Sequence, residues 1–111
     1  MGFDVLGTEP ADERGKYFRN NCWWWHPLWA CVADHCADIL SEDDIRWGDS
    51  NDCHEISGEQ AEGIGRRLLS KITEGQIVDD GRYGGEGKCF SVDNVRDFAQ
   101  FCLRSGGFVI T

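Results

Sequence analysis

Apolar positions recur along this chain with two different periods. From Gly2 to Gly7 they alternate, with Phe3 and Val5 set against Asp4, and this predicts a short strand. Thr8 to Gly15 is polar and contains Pro10 and Gly15, which predicts a loop. A dense aromatic block follows, from Tyr17 to Trp29. Pro27 suits the first turn of a helix, where its missing N–H is no loss. That helix is expected to run to about Leu40, with Leu28, Trp29, Val32, Cys36, Ile39 and Leu40 on its apolar face and Asp34, His35 and Asp38 opposite.

Ser41 to Asp44 reads as the cap of a short helical turn ending near Trp47-Gly48. Asp49 to His54 reads as a polar loop. Ser57 and Gln60 form a capping box, which opens a helix over about Gly58 to Thr73 with Ala61, Ile64, Leu68, Leu69 and Ile72 on one side. Gly63 and Gly65 weaken that helix by about 1 kcal/mol each relative to Ala, and suggest a close helix crossing or a ligand. Asp79 to Gly87 is glycine-rich and reads as a flexible loop. A final helix from Ser91 or Asp93 turns Val95, Phe98, Ala99 and Cys102 inward and ends at Gly106-Gly107. Phe108 to Ile110 reads as a last short strand. The expected fold is a single α+β domain over residues 1–111: three main helices around one core, with a two-stranded sheet pairing the N- and C-terminal segments.

Composition changes this picture in three respects. With 41% hydrophobic and 12% aromatic residues, 111 residues suffice for one core, so disorder is not expected. The formal net charge of −9 disfavours direct contact with nucleic acid or anionic membranes. It fits simple solubility, or an acidic surface that docks on a basic partner. No stretch approaches the roughly 20 apolar residues of a membrane span. The opening Met1-Gly2-Phe3-Asp4 has neither a basic n-region nor an apolar h-region and is not expected to be a signal peptide. With Leu at position six it is not a myristoylation motif. A cytoplasmic location is expected, and with it free thiols rather than a disulfide framework among Cys22, Cys31, Cys36, Cys53, Cys89 and Cys102.

The blocks Gly2-Phe3-Asp4-Val5, Tyr17-Phe18-Arg19-Asn20-Asn21, Trp23-Trp24-Trp25 with Pro27-Leu28-Trp29, Asn51-Asp52 and Ser105-Gly106-Gly107-Phe108 resemble an uncharacterised family of short bacterial and bacteriophage proteins. Many members carry Arg at the position of His26. Many also carry an insertion with a pair of cysteines before the last helix, where this chain has only the loop around Gly81 to Gly87, so a zinc ribbon is not expected here. The resemblance implies a phage or bacterial cytoplasmic origin and supplies no activity.

The polar and thiol side chains offer three kinds of chemistry. Cys31, His35 and Cys36, followed by Cys53-His54, offer zinc ligands, but no pair has the tight spacing of a structural site. Cys53-His54 offers a thiol and a base, yet catalytic pairs meet in space rather than in sequence. No nucleophile elbow, phosphate-binding loop or dinucleotide fingerprint is present, and the carboxylate pairs Asp43-Asp44 and Asp79-Asp80 read as solvated loops. The third is a polar and aromatic recognition site. Arg19, Asn20, Asn21, Trp23, Trp24 and His26 crowd one segment, and Asn51, Asp52 and His54 form a second polar cluster. Successive residues of a helix turn by about 100°, so Trp23, Trp24, Trp25 and Trp29 cannot all be buried on one side. The alternative is that the Trp run is core and the asparagines cap the helix.

The leading expectation is therefore a non-catalytic binding protein whose partner is a host protein or a small nucleotide-like ligand, with an anti-defence role by analogy. Its site would form where the Arg19 to His26 segment meets the Asn51 to His54 loop. No cofactor, metal, nucleic acid or membrane is expected as a partner. The alternatives are a small enzyme working at Arg19, Asn51, Asp52 and His54, or a metal-stabilised structural protein.

Overall fold

The computed structural model describes residues 2–79, 81–85 and 87–111. Met1 of the opening segment, Asp80 of the Asp79-Asp80 pair and Glu86 of the glycine loop lie outside them. The elements run β1 (Gly2–Gly7), a 3-10 turn (Glu13–Gly15), β2 (Tyr17–Asn21), α1 (Cys22–His35), α2 (Glu42–Gly48), β3 (His54–Ile56), α3 (Gly58–Thr73), α4 (Val92–Ser105) and β4 (Phe108–Ile110).

The fold is α+β, but the sheet has four antiparallel strands in the order β2-β1-β4-β3, and the described residues form four helices. Two strands were hidden from the sequence reading. Tyr17–Asn21 alternates, yet its polar members mask the period, and His54–Ile56 is only three residues long. The terminal segments pair as their alternation predicts, Val5 opposite Ile110 and Gly7 opposite Phe108.

Alternation gives the sheet one dry face. Phe3, Val5, Ile56, Phe108 and Ile110 point into the core, where α1 and α4 lie against the sheet and α3 packs on α4. Phe98 and Phe101 of α4 meet Phe108 and Phe18, and Trp25 stacks between Phe3 and Trp29. Gly65 permits the α3–α4 crossing: a Cβ there would sit 2.8 Å from the Ala99 carbonyl oxygen. Gly106, in the left-handed region at φ +67°, ends α4.

Helix α1 differs from expectation at both ends. It begins at Cys22, capped by the Asn21 side chain, and ends at His35, so Ile39 and Leu40 lie beyond it. Pro27 is consequently the sixth helical residue rather than a first-turn one. Its missing N–H leaves the Trp23 carbonyl free, and the Cys89 N–H takes it at 2.9 Å. The proline thus becomes the point at which the segment before α4 is tied to α1.

Trp25 and Trp29 are buried, Trp24 is half-buried, and Trp23 is 55% exposed. The buried pair do more than fill space. Their indole N–H groups donate to the Gly48 and Ile45 carbonyls, both 2.9 Å away, satisfying acceptors that the end of the short α2 would otherwise leave open. No helix among the described residues is long and apolar enough to cross a membrane.

Candidate functional site

The sequence-predicted site residues do not converge. Strands β2 and β3 are opposite edges of the sheet, so Arg19 and His54 are separated by two intervening strands. The residues fall into separate groups, each with its own partners.

The first group lies on the sheet face away from the helices. In β2 the alternation turns Phe18 and Asn20 inward and Tyr17 and Arg19 outward. Arg19 Nη1 reaches Asp4 Oδ1 at 2.6 Å, and the Tyr17 hydroxyl donates to the same oxygen. The Tyr17 hydrogen bond, followed by that of Arg19, holds the Asp4 carboxyl below its usual range. The guanidinium lies over Gly2, where a Cβ would be only 2.1 Å from Nη2, so this glycine gives Arg19 its place on the sheet. Register then aligns Tyr17, Leu6, Val109 and Glu55 in one row across all four strands. A parallel row runs Arg19, Asp4, Thr111, with Cys53 Sγ 3.7 Å from the Thr111 hydroxyl. Tyr17 is 51% and Leu6 44% exposed.

Asn20, Asn21 and Trp24 belong to the scaffold side. Asn20 and Asn94 exchange amide hydrogen bonds of 3.1 and 2.8 Å, locking β2 to α4. Asn21 accepts from the Trp23 and Trp24 N–H groups as the α1 cap.

His26 and His54 are drawn to the two ends of α2. His26 Nδ1 is 2.5 Å from Asp49 Oδ1, with its ring edge-on to Phe3. His54 Nε2 is 2.8 Å from Asp44 Oδ1. Asp44, read from sequence as solvated, is instead buried and acts as a junction. Its second oxygen accepts from the Ser41 N–H at 3.0 Å and from Gln60 Nε2 at 2.7 Å. Burial pushes its carboxyl up, but the Ser41 backbone, His54 and Gln60 together outweigh that and hold it below the usual value. Asn51 and Asp52 are exposed in the connecting loop, where Asp52 accepts from the Ser50 hydroxyl at 2.7 Å.

Beside this junction is an open cleft of about 420 Å³, lined by Asp38, Ile39, Ser57, Glu59, Gln60 and Gly63. Arg67 forks onto Asp38 with two 2.8 Å bonds and holds that carboxyl down to about 2.

The cysteines are far from nucleophiles where they are buried. Desolvation pushes Cys31 and Cys36 up to about 12, and Cys102 well above its usual value. Cys53 is exposed, with φ +65°, but its sulfur faces Thr111 on the open side of the sheet while His54 turns to Asp44. Among the described residues no three His, Cys, Asp or Glu side chains are grouped to hold a metal ion. In the glycine segment, the Tyr83 hydroxyl donates to Asp34 at 2.5 Å and its ring packs on Phe90. Asp79 accepts from the Val92 N–H at 2.8 Å.

The sequence reading missed Leu6, Tyr17 and Val109 as surface features. The signal was available for Leu6, since strict alternation puts it on the face of Asp4. No protein family matches the chain, and no curated protein or solved structure is significantly similar to it.

Proposed function

We propose that this chain is a non-catalytic binding protein of phage or bacterial origin that engages a host protein through the open face of its sheet. The observation that carries the reading is the row Tyr17, Leu6 and Val109, with Arg19 beside it. An antiparallel sheet ordinarily shows polar side chains on its solvated face. Three apolar side chains in line across neighbouring strands depart from that pattern and form a contiguous patch of the kind that marks interaction surfaces. Tyr and Arg are the residue types enriched at interface hot spots. The Asp4 carboxylate fixes the Arg19 guanidinium in place, which lowers the entropy lost when a partner docks on it.

The test is capture from source-cell lysate with three versions of the protein: the parent, Leu6→Asp on the open face, and Arg66→Asp on the solvent side of α3. Melting temperatures establish that each is folded. A protein retained by the parent and by Arg66→Asp but lost with Leu6→Asp supports the reading. Retention that is indifferent to Leu6→Asp contradicts it.

A second reading, a small nucleotide-like ligand, is favoured by the cleft at Gln60 and Gly63, whose size falls in the usual range for ligand pockets. Native mass spectrometry of protein purified from its source separates the two. A bound metabolite lost on Gly63→Leu favours the cleft.

A further inference from the structure

The open sheet face is not electrically neutral ground. Its apolar row ends at Glu55, and Glu55 lies in a strongly acidic stretch of the chain. Between Glu42 and Glu59 the chain holds seven of its twenty acidic residues and, with Arg46, one of its eleven basic ones. This stretch is continuous in space and wraps the β3 edge of the sheet: His54, on the same side of β3 as the buried Ile56, ties α2 and the start of α3 to the covered face through Asp44 and Gln60, while Glu55 alternates onto the open face. Within it Glu42, Asp43, Asp49, Asp52, Glu55 and Glu59 are exposed. Beside the other end of the row Arg19 is already matched by Asp4.

We infer that the partner of the open face is a basic protein surface, with an apolar centre to cover Leu6 and Val109 and with Lys or Arg side chains facing Glu55 and Asp52. The inference rests on the binding reading above and names the chemistry of its partner. Charge complementarity selects this occupant over the others. A second copy of this chain would bring two bodies of charge −9 together, which repels. A nucleic acid is rejected by the same field. A basic protein is steered towards the face, gains speed of association from the acidic stretch, and gains residence from the apolar row.

The test uses the protein captured by the parent chain and lost with Leu6→Asp, purified and titrated by surface plasmon resonance from 50 to 500 mM NaCl. Capture alone does not count in favour. The expected result is an affinity that falls at least ten-fold across this range, mainly through the association rate. Glu55→Lys and Asp52→Lys should each weaken binding several-fold and flatten the salt dependence. Glu62→Lys, on the exposed side of α3, should leave both unchanged. Changing an exposed Glu or Asp to Lys leaves the fold intact, and circular dichroism verifies it. The inference is overturned if Glu55→Lys behaves like Glu62→Lys, if binding is indifferent to salt, or if the bound species is another copy of this chain. Failure of the binding reading looks different: capture is then unaffected by Leu6→Asp, and the proposed partner has no face to occupy.

Discussion

Two glycines one turn-half apart on α3 should respond oppositely to the same change. In a helix interior, Gly→Ala gains about 1 kcal/mol from propensity and a less flexible unfolded chain. At Gly63 the new methyl would meet only the Ile39 side chain, most closely its Cδ1 at 3.3 Å, and the end of that side chain can move aside. Gly63→Ala should therefore be neutral to stabilising by up to about 1 kcal/mol. At Gly65 the methyl would lie 2.8 Å from both the Ala99 carbonyl oxygen and Leu103 Cγ. A helix backbone cannot yield as a side-chain tip does, so α3 and α4 must separate. Overpacking of this kind costs about 1–3 kcal/mol, which exceeds the gain. The two variants should differ by roughly 2 kcal/mol, or about 8 °C in melting temperature for a domain of this size. Urea unfolding followed by tryptophan fluorescence reads the difference, and equal m-values would show that the unfolded states are comparable. If Gly65→Ala is as stable as Gly63→Ala, the account of the α3–α4 contact is wrong.

Three further outcomes follow from the packing and the polar contacts. Asp44→Asn should flatten the acid limb of the stability curve. The depressed Asp44 carboxyl contributes stability that is present above the unfolded value near 4 and is lost as pH falls through its lower folded value, so between pH 5 and 2 the parent should lose more stability than the variant; an equal loss in denaturant titrations would contradict the junction. Iodoacetamide on the native protein, read by peptide mass spectrometry, should label the exposed Cys53 first and reach Cys31, Cys36 and Cys102 only on unfolding; early labelling of Cys102 would contradict the packed core. Removing residues 107–111 should abolish cooperative unfolding, because β4 is a central strand holding both β1 and β3; a truncated chain that melts like the parent would refute the four-stranded order.

Helices α3 and α4 were legible because their apolar residues hold a 3.6 period and their capping residues, Ser57 with Gln60 and Ser91, are in plain view. The join of the two chain ends was legible from alternation in both. Strand β2 was not, because an edge strand with half its residues on the solvated face carries few apolar markers. The order of strands decided the fate of the candidate site. A sequence pattern can say that Arg19 and His54 are polar and unexplained by the core, but only topology says that they occupy opposite edges. Asp44 was obscured for a related reason. Its neighbours Glu42 and Asp43 are exposed, and nothing in the run distinguishes the one carboxylate that later strands and helices enclose.

The central claim is that the open sheet face is where this protein meets its partner. Site-specific photo-crosslinking tests it most directly, with p-benzoylphenylalanine placed singly at Leu6, at Val109 and, as a control, at Arg66, followed by irradiation in source-cell lysate and mass spectrometry. The prediction is one discrete crosslinked protein from positions 6 and 109, joined through a segment bearing Lys or Arg, and none from position 66. Crosslinks from position 66 alone, or the same diffuse pattern from all three positions, would contradict it.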